Sequence, residues 1–161
     1  MRELFDTLKT RSYALTPVLL DTCFLVHTFS HADRINKLYG LCDRKNVGIT
    51  SFSISEFLNI QHKVPEQVRS NIRKFLHSSP DLFTVNINVN PGEWDNERSF
   101  VNTIEPDLLK HVHDPSDAVL IATAISMRAD VLTRDKHHLY TADLENFLRK
   151  YKINVWNKMH D

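Results

Sequence analysis

The sequence predicts one α/β domain over residues 1–161, built on a mostly parallel sheet of about five strands. From Val18 to the end of the chain, short apolar segments alternate with longer segments of helical periodicity. That alternation is typical of strands joined by right-handed helical crossovers. The composition, with 42% hydrophobic and 25% charged residues, is that of an ordinary globular protein and disfavours a disordered chain or a coiled coil.

Five short segments are the predicted strands. The first, Val18–Leu20, follows Pro17 and is apolar throughout, as in a strand covered on both faces of a sheet. The second, Val47–Thr50, lies between Asn46 and Ser51. Segment 82–89 alternates between apolar and polar residues, and the last two predicted strands are 131–133 and 153–156.

Helices are predicted between these strands. Helical signals run from Asp21 to about Arg44, a further helix opens at residues 53–56, and an amphipathic helix starts at Pro65 and ends near Pro80. More polar helical sequence lies between 91 and 105, and a last helix covers 142–151. Segment 118–129 is apolar on nearly all sides, which predicts a helix buried on more than one side.

Several functional classes are excluded by simple counts. The three glycines, Gly40, Gly48 and Gly92, are too scattered for a dinucleotide-binding turn or a Walker phosphate loop. Twenty basic and twenty acidic residues cancel, so a site for a polyanion has to be local.

The sequence predicts a cytoplasmic protein without a membrane segment. No apolar run approaches the roughly 20 residues that a bilayer requires, and the N-terminus lacks the apolar stretch of a signal peptide. In such a protein Cys23 and Cys42 are expected to be reduced, buried thiols.

Four acidic residues stand at strand exits or helix starts: Asp21, Glu56, Asp117 and Asp135. The carboxyl ends of parallel strands meet at one crevice, so these side chains are predicted to converge. Their mutual repulsion calls for a cation. Oxygen ligands without cysteine or histidine suit one or two Mg²⁺ or Mn²⁺ ions, which activate water for attack on a phosphodiester.

Structural roles also explain these acids one at a time. Ser53 and Glu56 have the spacing of a capping box. Asp114 followed by Pro115 is typical of a helix N-cap, which leaves Asp117 in the first turn. Asp135 alone is compatible with an ordinary loop aspartate.

Four sequence blocks resemble the motifs of PIN-domain nucleases and occur in the same order. They are LLDTCFL at 19–25, TSFSISEFL at 50–58, DAVLIATA at 117–124 and VLTRD at 131–135. The resemblance implies a three-layer α/β/α fold and Mg²⁺- or Mn²⁺-dependent cleavage of RNA. The first 16 residues lie outside it.

The resemblance also implies roles for individual residues. Asp21, Glu56, Asp117 and Asp135 match the acidic metal ligands, and Thr133 matches the hydroxyl residue beside the last acid. Candidate RNA contacts are Thr22, also a candidate helix cap, and Arg134 and Lys136 beside Asp135. Family members are usually homodimers, and VapC-type toxins of this family bind an antitoxin protein.

Three functions stay open at this point: a toxin-like endoribonuclease, a nuclease of ribosomal RNA maturation or RNA decay, and a PIN-like module that binds RNA or protein without cutting. A haloacid-dehalogenase-type phosphatase is disfavoured, because Cys23 occupies the position of its second aspartate. His111 and His113 lack the further histidine and the spacing of a zinc hydrolase, which favours a surface or capping role.

Overall fold

The structure, a computed structural model, describes residues 16–159. The N-terminus, where the sequence predicted no signal peptide, therefore lies outside the described residues. Within them, no helix is both long and apolar enough to cross a membrane.

The described residues form one sheet of five parallel strands in the order β3-β2-β1-β4-β5. Its central strand β1 pairs with β2 through Leu19 and Gly48 and with β4 through Leu19 and Val131. The order places the exits of β1, β2 and β4 next to one another. The strands are β1 (Val18–Leu20), β2 (Val47–Thr50), β3 (Phe83–Val85), β4 (Asp130–Leu132) and β5 (Val155–Trp156).

Seven α-helices connect the strands in the described part of the chain. They are α1 (Thr22–Phe29), α2 (Ala32–Arg44), α3 (Ser51–Ile60), α4 (Glu66–Ser78), α5 (Trp94–Ile104), α6 (Pro115–Met127) and α7 (Ala142–Leu148). Short 3-10 helices occupy Gln61–Lys63, Leu108–Lys110 and Arg149–Tyr151. The predicted α/β fold is confirmed, with strand and helix ends shifted by a few residues.

Each face of the sheet has its own hydrophobic core. Successive residues of a strand point to opposite faces, so Val18 and Leu20 of β1 pack with α1, α2 and α4, whereas Leu19 packs with α5, α6 and α7. Helix α3 contributes Phe57 to the first core and Phe52 to the second. Two cores separated by one sheet confirm the three-layer α/β/α architecture.

Helix α6 is the most buried helix described. Every residue from 118 to 125 is buried, which explains why its sequence is apolar on nearly all sides. Its one polar side chain in that stretch, Thr123, donates its hydroxyl hydrogen bond to the Val119 carbonyl within the helix. The buried helix brings its first turn to the sheet edge where β1 and β4 end.

Two predicted elements differ from the structure. The predicted strand 82–89 ends at Val85, because the Ile87 N–H and carbonyl both bond the Ser51 hydroxyl at the start of α3 instead of a neighbouring strand. The predicted helical segment after β1 is two helices, separated by a turn at Ser30 and His31.

Both cysteines are free, which confirms the predicted absence of a disulfide. Cys42 is buried as predicted, but Cys23 is exposed because it lies on the side of α1 that faces the cleft described below.

Gly48 provides a test of the sheet packing. It lies between Leu19 and Phe83 in the ladder, and a methyl group on its Cα would overlap the Phe83 ring. We expect Gly48→Ala to lower the free energy of unfolding by about 1–3 kcal/mol, because the ring has to move out of a packed position. Chemical denaturation measures the change.

The matched control is Gly40→Ala on α2, where the nearest atom to an added methyl is the Arg44 guanidinium at 3.8 Å. Alanine favours a helix over glycine by about 1 kcal/mol, so Gly40→Ala should stabilise the protein. Equal effects of the two substitutions would contradict the packing assigned to Phe83.

Candidate active site

One open cleft of about 720 Å³ lies at the carboxyl edge of the sheet. All four acidic residues singled out from the sequence line it, at the exits of β1 and β4, in α3 and in the first turn of α6. Arg134 also lines it, as do Thr22, Cys23, Val26 and His27. The four acids that were predicted to converge therefore line the same cleft in the folded chain.

Asp21 is the best-anchored of the four acids. Its backbone N–H donates to the Leu132 carbonyl at 2.9 Å, which ties it to β4. Its Oδ1 accepts from the Thr22 N–H at 2.8 Å, and its Oδ2 accepts from the Thr133 hydroxyl at 2.7 Å and the Cys23 thiol at 3.1 Å. Burial nevertheless raises the pKa of Asp21, since desolvation outweighs these hydrogen bonds.

Asp21 is thus the N-cap of α1, and the prediction that Thr22 is a helix cap is wrong. Thr22 is the first residue of the helix and is buried. Its hydroxyl donates to the Ser53 carbonyl at 3.1 Å and to Glu56 Oε1 at 3.3 Å. Thr22 therefore orients Glu56, and its predicted contact with RNA stays a prediction.

Glu56 lies in the middle of α3 rather than at its start. The N-cap is Thr50, whose hydroxyl accepts the Ser53 N–H at 3.0 Å, so the predicted capping box of Ser53 and Glu56 is wrong. Burial raises the pKa of Glu56 to about 8, with a further contribution from the charge of Asp21. Nothing in the capping of α3 accounts for this glutamate.

Asp117 occupies the first turn of α6, and Asp114 caps that helix as the sequence predicted. The Asp114 carboxylate accepts the Ser116 N–H at 2.9 Å, with Pro115 at the first helical position. Among the described residues, none donates a hydrogen bond to the Asp117 carboxylate. Burial, followed by the charges of Asp114 and Asp135, raises its pKa to about 7.

Thr133 joins two of the acids from beneath the cleft. It is fully buried, donates its hydroxyl to Asp21 and accepts the Asp135 N–H at 3.0 Å. Asp135 Oδ1 also accepts the N–H groups of His137 and His138, each at 3.0 Å, so this carboxylate shapes its own loop. Asp135 is also one of the residues that line the cleft.

The basic residues beside Asp135 divide into two groups. Arg134 lines the cleft, and its guanidinium is held by a 3.2 Å hydrogen bond to the Asn157 carbonyl. Lys136, His137 and His138 are exposed and are not among the residues that line the cleft. His111 donates its Nδ1–H to the Asp143 carboxylate at 2.9 Å and stacks on Phe147, as expected for a surface histidine.

A fifth acid, which the sequence patterns did not single out, is Glu97 of α5; it is completely buried. Its carboxylate accepts the Gly92 N–H at 2.8 Å and the Ser116 hydroxyl at 2.9 Å, and its charge contributes to the raised pKa of Glu56. The position of Glu97 in the sequence could have revealed that it is buried, because it lies four residues before Val101, on the apolar stripe of α5.

The donor set of the cleft fits a hard divalent cation. Four carboxylates lie in one partly desolvated space, and two of them have pKa values of about 7 and 8 that a nearby positive charge would lower. Within residues 16–159, no three acidic, histidine or cysteine side chains are already gathered at ligating distance. The carboxylates stay apart because their negative charges repel one another. Hydrogen bonds to neighbouring groups also hold Asp21 and Asp135 in their present positions.

Comparisons with known proteins agree with this architecture. The family model described as PIN domain matches residues 18–144. A solved chain of similar fold comes from the VapBC2 complex of Rickettsia felis, bound to a DNA fragment from its promoter; it is 14% identical, with a TM-score of 0.56 over 88% of this chain and 99% of the other. A search of curated proteins found no match.

The raised pKa values predict how stability depends on pH in the metal-free protein. Glu56 and Asp117 bind protons more tightly in the folded chain than in the unfolded chain. Their contribution to the free energy of unfolding is therefore largest below about pH 4, falls as pH rises toward the folded pKa values of about 7 and 8, and levels off above them. Glu56→Gln should reduce this fall by on the order of a few kcal/mol. Denaturation in EDTA between about pH 5 and pH 9 measures it.

Glu66→Gln, at an exposed glutamate outside the cleft, is the matched control and should leave the slope unchanged. If Glu56→Gln and wild type lose stability equally with rising pH, the electrostatic description of the cleft is wrong.

Glu97 gives a test of how α6 is positioned. Glu97→Ala removes a buried carboxylate that accepts the Gly92 N–H and the Ser116 hydroxyl, and should lower the free energy of unfolding by about 2–4 kcal/mol. Glu97→Gln keeps one oxygen acceptor and should cost less. Asp95→Ala, at an exposed acid of the same helix, should change stability by less than about 0.5 kcal/mol.

Proposed function

Because the family model matches most of the chain, the protein belongs to the PIN domain family, and from that premise we propose that it is a metal-dependent endoribonuclease. The observation that carries the proposal is that Asp21, Glu56, Asp117 and Asp135 line one open, partly desolvated cleft. A surface without catalytic function has no need to bring four carboxylates together against their repulsion.

In this proposal the four carboxylates hold one or two Mg²⁺ or Mn²⁺ ions. A divalent cation bound there supplies positive charge that activates a water molecule and neutralises charge on the phosphate. No side chain of the chain acts as the nucleophile. The selection of Mg²⁺ or Mn²⁺ follows from the all-oxygen donor set.

The remaining residues of the cleft have distinct roles. Thr133 and the Thr22 N–H hold the Asp21 carboxylate in one orientation, and the Thr22 hydroxyl does the same for Glu56. We propose that Arg134 contacts a phosphate oxygen of the bound strand, which its position in the same cleft as the acids supports. Lys136 is a candidate for a more distant phosphate contact.

The biological setting that we propose is a toxin and antitoxin pair. The solved chain of similar fold belongs to a VapBC complex, which supports an antitoxin as the protein partner of this chain. We also propose that the protein forms a homodimer, as the family resemblance implies. Processing or decay of cellular RNA is the alternative role for the same chemistry.

The test of the proposal is cleavage of labelled single-stranded RNA by purified protein in Mn²⁺, in Mg²⁺ and in EDTA. Wild type should cut only with metal, and Asp21→Asn and Asp117→Asn should lower the rate by about 100-fold or more, because each removes a charged ligand. Asp95→Asn, at an exposed acid outside the cleft, should cut like wild type.

Two results would contradict this mechanism. Equal cutting by wild type and both cleft variants would remove the carboxylates from the chemistry. RNA binding by wild type without cleavage in any metal would favour a binding module.

A further inference from the structure

A second concave surface adjoins the carboxylate cleft. It is a groove of about 320 Å³ between α1, α2 and the segment that follows β5. Its lining includes four cationic residues, which together define the basic groove: Arg34, Lys37, Arg134 and Lys158. We propose that the basic groove binds the sugar-phosphate backbone of single-stranded RNA outside the scissile bond, an inference that rests on the proposed nuclease function.

The basic groove and the cleft are continuous. Arg134 lines both of them, so a strand leaving the carboxylates meets its guanidinium before it enters the groove. His27 provides a second link, because it lines the cleft while its Nε2 lies 2.6 Å from the Arg34 guanidinium. One polyanion can therefore occupy both surfaces at once.

The positive charge of the groove is not neutralised by the protein. Within the described part of the chain, none of the four cations forms a salt bridge with a carboxylate, and Asp33 is the one acid among the lining residues. Burial, together with the charges of Arg134 and Arg34, lowers the pKa of His27, so the Arg34 guanidinium faces a neutral imidazole. In a chain with no net charge, this is a local excess of cations.

One buried hydroxyl beside the groove lacks a hydrogen-bond partner in the described part of the chain. Thr28 of α1 lines the groove, is 1% exposed, and its Oγ1 has no hydrogen-bond partner among residues 16–159. Buried polar atoms are nearly always hydrogen-bonded, and a missing partner therefore requires an explanation. The hydroxyl is covered in this conformation, so the Thr28 side chain would have to turn toward the groove before a phosphate oxygen could accept its hydrogen bond.

The chemistry favours a backbone contact over base recognition. The cationic side chains can each pair with a phosphate, and the groove lining contains no tyrosine, tryptophan or histidine on which an unstacked base could lie, Phe24 being buried. The groove should therefore hold the strand without reading its sequence. It would set how the flanking nucleotides pass across the carboxylates.

The experiment reverses the charge of the two exposed lysines of the basic groove in the double variant K37E/K158E. Its matched control is K74E/R98E, which makes the same charge change at exposed cations that line neither the cleft nor the groove. Both are combined with Asp117→Asn so that binding is measured without cleavage. The probe is a fluorescent single-stranded RNA of about twelve nucleotides, titrated by anisotropy at several salt concentrations.

We expect K37E/K158E to weaken RNA binding by about 10-fold or more and to lower the salt slope by about 0.7 for each lost phosphate contact. The control should bind like the parent. In the background without Asp117→Asn, K37E/K158E should slow cleavage of the long RNA but leave cleavage of a dinucleotide unchanged, because a dinucleotide does not reach the groove.

The inference is overturned if K37E/K158E binds RNA with the affinity and salt slope of the control. It is also overturned if the reversal weakens only the complex with a partner protein, which would assign the groove to that partner. If wild type does not cleave RNA, the proposed nuclease function is wrong. If K37E/K158E nevertheless weakens RNA binding in that protein, the proposal that the basic groove binds RNA is still supported.

Discussion

Repulsion between carboxylates that share a partly dry cleft is the constraint on which the arrangement of this protein depends. Asp21 stands at its centre, because it ends the central strand and its carboxylate contacts three neighbouring groups. Those contacts orient the side chain, yet burial still raises its pKa. The metal-free cleft is therefore electrostatically unfavourable, and the surrounding packing has to hold it in place.

That packing comes from both sides of the sheet. Because side chains alternate along β1, Leu19 packs in one core and Leu20 in the other. Asp21 therefore follows a strand that is packed on both faces. On the second side, Glu97 ties α5 to the first turn of α6 through Ser116, the residue that precedes Asp117. A buried carboxylate outside the cleft thus helps to position one inside it.

In the proposed function, the charges of the two adjoining surfaces would complement different parts of one RNA strand. Acids concentrate where a cation and the scissile phosphate would lie, and cations concentrate in the basic groove where only phosphates of the flanking strand would lie. Arg134 occupies the boundary. A protein with equal numbers of acidic and basic residues can in this way present strong local fields of both signs.

The sequence alone determined the class of fold and the four acids. Apolar segments short enough for strands, together with the all-round apolar helix that became α6, specify a covered parallel sheet, and parallel strands necessarily bring their carboxyl ends to one edge. The acids could be identified from their positions. Each one either directly follows a strand or lies within one or two turns of a strand end or a helix start. These are local patterns that a single segment carries by itself.

Tertiary structure decided what depends on contacts between distant segments. The Ser51 hydroxyl bonds Ile87, so β3 ends early. Thr22, which the sequence offered as a helix cap, instead donates a hydrogen bond to Glu56. Glu97 accepts a hydrogen bond from Ser116, nineteen positions along the chain. The basic groove likewise joins α1 and α2 to Lys158 beyond the last strand. None of these pairs shares a local sequence pattern, because hydrogen bonds and charge clusters form between residues that only the packing of helices on the sheet brings together.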